Sequence, residues 1–412
     1  MSKTLSEIQA FPTTKVRNAF PSLSRIHKNK PLIYLDGPAG SQVPKSVISA
    51  ISGYYEKSNA NSHGQFITSQ ETDLVIDETR EKMATFLGAK GPETISFGSN
   101  MTTLNFALAR AIGRYFQPGD EIIITQLDHE SNRGPWLSLR EIGIIVREIR
   151  LQDNGTLDYD HFESLLNEKT RLVAIGYSSN ILGTVNQLSK VRKMTYQYGA
   201  WMLVDAVHYA PHFSIDVQAL GCDFLLCSAY KFYGPHVGFL YARPGLLDQL
   251  PTDRLRTQYQ QAPHSIETGT FNHAALAGVS AAIDFMASLG EGKNLREKLI
   301  TAMNAIQTKE HFLAERLYDG LKMIKHLEIK GPSFYKKHRA PTISFLHKTK
   351  TASDVCKELA EQGICAWNGH FYAIRATEVM GLMELGGLTR MGISIYNTEA
   401  EIDQTLEVLS RL

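Results

Sequence analysis

Short apolar runs punctuate the chain between residue 90 and residue 245. They read ETISFGS (93–99), EIIITQ (121–126), IIVREIRL (144–151), RLVAIGYSS (171–179), WMLVDAVH (201–208), FLLCSAYK (224–231) and GFLYARP (238–244). Several are apolar throughout rather than alternating, as strands covered on both faces are. The stretches between them are long enough for crossover helices. Asn105–Phe116, with Leu104, Leu108 and Ile112 at a spacing of four, is one, and Ser189–Tyr198 is another. The pattern predicts an α/β domain built on a mostly parallel sheet of seven strands, covered on both faces.

The rhythm changes after Gly290. A long amphipathic helix is predicted over Asn294–Ile324, followed by a strand PTISFLH (341–347) and a helix over Ala352–Gln362. Strands GICAW (363–367) and LTRMGISIY (388–396) come next. A last helix opens on Thr398 with Glu401 three residues on, the pairing of a capping box. Residues 368–387 carry little strand signal and are expected to be a loop. The predicted organisation is an N-terminal segment, 1–30, packing on the small domain, a large domain, 31–290, and a smaller C-terminal α+β domain, 291–412.

Composition narrows the field. In 412 residues, 43 Lys and Arg face 42 Asp and Glu, so there is no broad field for gripping nucleic acid or an acidic membrane. No apolar run approaches a membrane span, and the first twenty residues lack the apolar core of a secretory leader. The four cysteines, Cys222, Cys227, Cys356 and Cys365, fit neither a disulfide framework nor a zinc pattern, so no metal site is expected. These features predict a cytoplasmic protein that contacts neither nucleic acid nor membrane.

Candidate chemistry gathers at the ends of the predicted strands. Lys231 closes an apolar strand, where an ammonium is costly unless the amine is neutral or tied up as a Schiff base; a lysine just past a strand end and reaching solvent is the plainer alternative. Asp205 ends another strand, where α/β folds place ligands, although a helix-capping aspartate would look the same. GSNMTTLNFALAR (98–110) turns from a strand into a helix whose free N–H groups can hold an anion. His129 lies just past EIIITQ and can stack on a planar ligand. The set of amine, carboxylate, anion cradle and stacking ring matches pyridoxal 5′-phosphate (PLP).

YLDGPAG (34–40), LDHESNRGPW (127–136), SSNILGTVN (178–186), LVDAVHYAPH (203–212), CDFLLCSAYKFYGPHVGFLY (222–241), IETGTFN (266–272) and TRMGISIYNTEAEID (389–403) together resemble the class V aminotransferase family of fold-type I PLP enzymes. Within it they resemble cysteine desulfurases and selenocysteine lyases. The resemblance implies that Lys231 forms the internal aldimine, that Asp205 pairs with the pyridinium nitrogen and that His129 stacks on the ring. It implies hydrogen bonds from Asn180 and His208 around the ring's phenolic oxygen. The phosphate would meet Asn100, the Met101 backbone, Ser228 and Tyr230, with Thr270 reaching the phosphate of a neighbouring subunit in a homodimer with composite sites. Arg390 matches the arginine that forks onto a substrate α-carboxylate, and His370 and Tyr372 fall on the substrate side.

One departure bears on the reaction. Where desulfurases carry a persulfide-forming cysteine, GICAWNGHFYAIRA (363–376) has Tyr372, which cannot accept sulfur in that way. Cys365 lies seven residues earlier and reads as a small buried hydrophobe. Trp367 stands where desulfurases tend to have arginine. The expected activity is PLP chemistry on an amino acid, desulfurase-like or as a C–S lyase. Transamination, epimerisation and a non-catalytic PLP-binding partner are the alternatives. NANSHGQF (59–66) is expected at the substrate entrance.

Overall fold

The computed structural model of the chain describes residues 11–335 and 338–412. Residues 1–10 of the expected N-terminal segment thus lie outside the described residues. The large sheet has seven strands: β1 (Ile95–Gly98), β2 (Glu121–Thr125), β3 (Ile145–Ile149), β4 (Thr170–Gly176), β5 (Trp201–Asp205), β6 (Phe224–Ser228) and β7 (Gly238–Ala242). Their order across the sheet is β1-β7-β6-β5-β4-β2-β3. All neighbours pair in parallel except β7, which is antiparallel to both β1 and β6.

Period-two alternation explains why these runs are apolar throughout. Ile123, Val173, Val204, Leu225 and Phe239 enter the core on one face of the sheet. Their neighbours Ile122, Leu172, Leu203, Phe224 and Leu240 enter the core on the other. A strand buried on both faces has no position at which water rewards a polar side chain. The crossover helix α1 (Met101–Tyr115) begins at Asn100, whose side chain accepts from Thr103 N, and places Leu104, Leu108 and Ile112 in the second core.

The smaller domain carries a four-stranded antiparallel sheet of β8 (Leu327–Lys330), β9 (Thr342–His347), β10 (Trp367–Gly369) and β11 (Leu388–Gly392), ordered β8-β9-β11-β10. It packs beneath the helix Leu295–Met323 and the final helix Glu399–Ser410, whose capping box is formed by Thr398 and Glu401. Two details differ from expectation. GICAW is not one strand: Ile364–Cys365 pairs in parallel with Ile33–Tyr34, and Trp367–Gly369 joins the small sheet. The segment expected to be all loop contains a helix, Ile374–Val379, whose Ala376 and Thr377 are buried. Six residues are too few for a helical period to stand out from the sequence.

The N-terminal residues tie the two units together. Phe20 packs edge-on against Tyr233, Phe285 and Tyr396. Arg17 bonds Tyr396 O and pairs with Glu401 at 2.8 Å. The short strand Ile33–Tyr34 then leads into Leu35–Gly40, which runs between β11 and the turn after β6.

Candidate functional site

The strand ends at one edge of the large sheet open into a cavity of about 890 Å³, large enough for a cofactor together with a small substrate. Asn100, Met101, His129, Asn180, Asp205, His208, Ser228, Tyr230, Lys231, His370, Tyr372 and Arg390 all line it. Thr270 does not; it lies exposed on a loop of its own chain. The segment 59–66 is likewise absent from the lining of its own chain's cavity.

Lys231 ends the single 3₁₀ turn that follows β6. Its Nζ donates to the carbonyls of Pro38 (2.5 Å) and Ala39 (3.0 Å). Burial drives its pKa down to about 7; the Arg390 charge adds to the drop, and Asp205 and Asp36 oppose it. An amine that is about half neutral at pH 7 can act as a nucleophile and a base. Asp205, at the end of β5, accepts from Val207 N at 2.9 Å. Burial raises its carboxyl to about 7; the Val207 bond opposes the rise, and the nearby Asp128 carboxylate adds to it. A carboxylate held this far from water has its charge stabilised best by a cationic partner.

His129 follows β2. Its Nδ1 accepts from Ser131 N at 3.0 Å, so the neutral ring carries its proton on Nε2. Burial and the Lys231 and Arg390 charges push it down to about 4, which keeps the ring neutral. Asp128, next to it, was not singled out by the sequence. Its carboxylate accepts from Gly176 N (3.0 Å) and Asn132 Nδ2 (2.9 Å), fastening the β2 loop to the end of β4. His208 is buried, bonds Thr342 Oγ1 of the small domain at 2.8 Å, and is held neutral by burial. Tyr230 stacks on His236 at 4.6 Å and 7°.

The helix start forms the anion cradle. Met101 N donates to Ser228 Oγ at 3.0 Å, so hydroxyl and amide already converge, and the first-turn N–H groups of α1 open onto the cavity. Gly238 makes this approach possible: a Cβ there would stand 2.2 Å from the Asn100 carbonyl carbon. Amine, carboxylate, neutral ring and N-terminal cradle meet in one cavity, and the donor set fits PLP.

The substrate side comes from the small domain. Arg390 on β11 donates to Asn180 O at 3.0 Å and lies 4.1 Å over the Phe371 ring. Asn180 Nδ2 donates to Phe371 O at 2.8 Å. Phe371 and Tyr372 both adopt left-handed backbone, φ 52° and 58°, which is strained for bulky side chains. The strain is held by Tyr372 O accepting from Glu130 N at 2.7 Å and Tyr372 N donating to His370 Nδ1 at 3.1 Å. Tyr372 thereby stands across from His129, ring centres 5.5 Å apart. Trp367 and Phe106 complete the apolar wall. None of the four cysteines lines the cavity. Cys365 is half-buried beside Tyr34, and burial, reinforced by Asp36, raises its thiol to about 11.

The sequence matches the Aminotransferase class-V family over residues 33–405. It is 34% identical to a cysteine desulfurase of Serratia proteamaculans, covering 98% of each chain. It is 33% identical to a probable cysteine desulfurase of Synechocystis, covering 96% of this chain and 94% of the relative. Among solved structures it resembles a cysteine desulfurase of Thermococcus onnurineus, with TM-score 0.86 and 29% identity over 97% of this chain and 98% of that one. It also resembles one of Escherichia coli, with TM-score 0.85 and 27% identity over 98% of both chains.

Proposed function

The chain belongs to the class-V aminotransferase family of PLP-dependent enzymes, and from that premise we propose that it cleaves the Cβ–S bond of a cysteine-type amino acid and releases the sulfur by β-elimination. The observation that carries the proposal is the cavity wall, which no cysteine lines, and on which Tyr372 stands at the position the family resemblance gives to the acceptor thiol.

Lys231 would hold the cofactor aldehyde, Asp205 its ring nitrogen, and His129 its ring face. Asn180 and His208 would lie at the ring edge. Asn100, Met101 N, Ser228 and Tyr230 would hold the phosphate. When bound, PLP supplies an electron sink for the pair released at Cα. The chain's own residues do the rest. Arg390 presents a planar fork that matches an α-carboxylate and orients the substrate. Lys231 Nζ, with a pKa near 7, takes the Cα proton. Asp205 keeps a proton at the ring nitrogen through charge pairing. Tyr372 and His370 line the cavity on the side of His129. Water then completes the balance: cysteine and one water give pyruvate, ammonia and hydrogen sulfide.

The domain division at residues 30 and 290 belongs to the same proposal, as does a cytoplasmic homodimer in which Thr270 reaches the partner's phosphate. The exposure of Thr270, away from its own cavity, supports the dimer. Four free cysteines, three of them buried, support a reducing compartment. No described helix is long and apolar enough to cross a membrane.

The test is the carbon product after PLP-loaded protein meets L-cysteine. Pyruvate with equimolar ammonia and sulfide is expected. Alanine would overturn elimination and require a sulfur acceptor elsewhere. A keto acid formed together with the amine form of the cofactor would mean transamination.

A further inference from the structure

Two basic side chains, Lys231 and Arg390, line the same cavity, and neither makes a direct ion pair among the described residues. Their partners are neutral: backbone carbonyls of Pro38 and Ala39 for one, Asn180 O and the Phe371 ring for the other. The Arg390 charge adds to the lowering of Lys231, and burial brings Arg390 itself down to about 9 against the pull of Asp36 and Tyr230. Asp205 can offset Lys231, but in the proposed function it is committed to the cofactor nitrogen. Some other anion must balance the pair while no substrate carboxylate is present.

Asp36 is placed to do so. It forms a bridge with Gly392 on β11, and Gly392 N donates to Leu35 O at 2.8 Å. Arg390 lies two residues before Gly392 and so leaves the strand on the same face. The contact is too close for any added carbon: a Cβ on Gly392 would stand 2.2 Å from Pro38, and one on Gly37 2.5 Å from Ser394 Oγ. Two residues on from Asp36, the same segment supplies the Pro38 and Ala39 carbonyls that receive the Lys231 amine. One rigid strap therefore touches the arginine strand on one side and the lysine on the other. Asp36 Oδ1 is sealed from solvent and has no hydrogen-bond partner. Burial raises Asp36 to about 6, against the pull of its own backbone N–H and then of Arg390 and Lys231. Its other titratable neighbours are Tyr34, Cys365 and Tyr396, all neutral near pH 7.

We propose that Asp36 is a positioning residue, the resident counter-ion that holds the Lys231 amine and the Arg390 guanidinium together in one pocket. This rests on the reading of Lys231 as the cofactor lysine. The test is made on cofactor-free protein, by competitive labelling with acetic anhydride across pH 5.5–9 and mass spectrometry of the peptide that contains Lys231. Groups facing Lys231 are Asp36, Asp205, Arg390, His129, His208 and Tyr230, whose ring centre lies 4.9 Å from the amine, and only the first is changed. In Asp36→Asn the Lys231 midpoint is expected to fall by about half to one pH unit, because an attractive charge is lost. Asp36→Glu is expected to return the midpoint to within about a quarter of a unit. A midpoint unchanged in Asp36→Asn overturns the proposal, as does a Glu variant that behaves like Asn. If the Asn variant is insoluble, Asp36→Ser, equally uncharged, reads the same midpoint. Uptake of PLP by the unaltered protein checks the underlying reading separately: failure there removes the role of Lys231, whereas an unmoved midpoint removes only that of Asp36.

Discussion

At the scale of single residues, the site works by holding ionisable groups where water cannot stabilise their charges. Lys231 near 7, Asp205 near 7 and His129 near 4 are displaced chiefly by burial. Lys231→Ala is expected to remove the visible absorbance of bound PLP and to lower turnover by at least about 10³-fold, since nucleophile and base are lost together. Absorbance spectra and product assays check this. Asp205 carries a sign that can be tested without cofactor. Its carboxyl titrates higher in the folded chain than in the unfolded one, so its contribution is favourable at acid pH. That contribution is lost as pH rises from about 4 to about 7, where a charge must be buried. Cofactor-free Asp205→Asn should therefore be more stable than the unaltered protein at pH 8, by about 2–4 kcal/mol, and should gain little at pH 4. Denaturant titrations at the two pH values measure the difference.

At the scale of elements, the cavity depends on three close approaches. The start of α1 reaches the end of β6 because Gly238 leaves room for Asn100. Gly238→Ala is expected to displace that helix start, weaken PLP affinity by about tenfold or more and cost about 1–3 kcal/mol of stability. Fluorescence titration with PLP and thermal melts read the two effects. The turn at Phe371–Tyr372 is the second approach. Its two left-handed residues are tied to Glu130 by one backbone bond, and that tie sets the depth at which side chain 372 meets His129. Tyr372→Cys should consequently present a thiol to the site. A shift of the carbon product from pyruvate toward alanine, with a persulfide found on that peptide, is the expected outcome. The third approach is the Leu35–Gly40 strap, through which the small-domain strand and the lysine turn are set against each other.

At the scale of the whole molecule, the site is divided between domains. His208 of the large domain bonds Thr342 of the small one, and Arg390 reaches Asn180 across the same boundary. Shifts of one domain against the other would reach the substrate side through Arg390 and the cofactor side through His208. The proposed dimer adds a second division. If Thr270 acts in trans, diluting the protein until the dimer dissociates should weaken PLP binding to the level of Thr270→Ala, and that variant should lose its own concentration dependence. Light scattering combined with cofactor titration separates these outcomes.

How much of this was legible beforehand follows from the physics of each feature. The seven strands of the large sheet were readable because burial on both faces leaves uninterrupted apolar runs. The long helix and the final capped helix were readable from period and capping chemistry. Asp205 and Lys231 stood out because polar groups closing apolar strands are costly and hence conspicuous; Asn100 and His129 were candidates as the residues just past strand ends, and Arg390 was implied by the family resemblance alone. The split of GICAW between two sheets and the six-residue helix Ile374–Val379 were not legible, because pairing partners and short turns are chosen by distant contacts. Asp128 and Asp36 were overlooked for a related reason. Each is an ordinary acid in a loop until the fold removes its water and sets it beside charges that are remote in sequence. The sequence by itself determined which side chains could do chemistry and which segments had to be buried. Only the tertiary structure decided which of them share a cavity, because electrostatics in a dry site depends on distances that chain order does not encode.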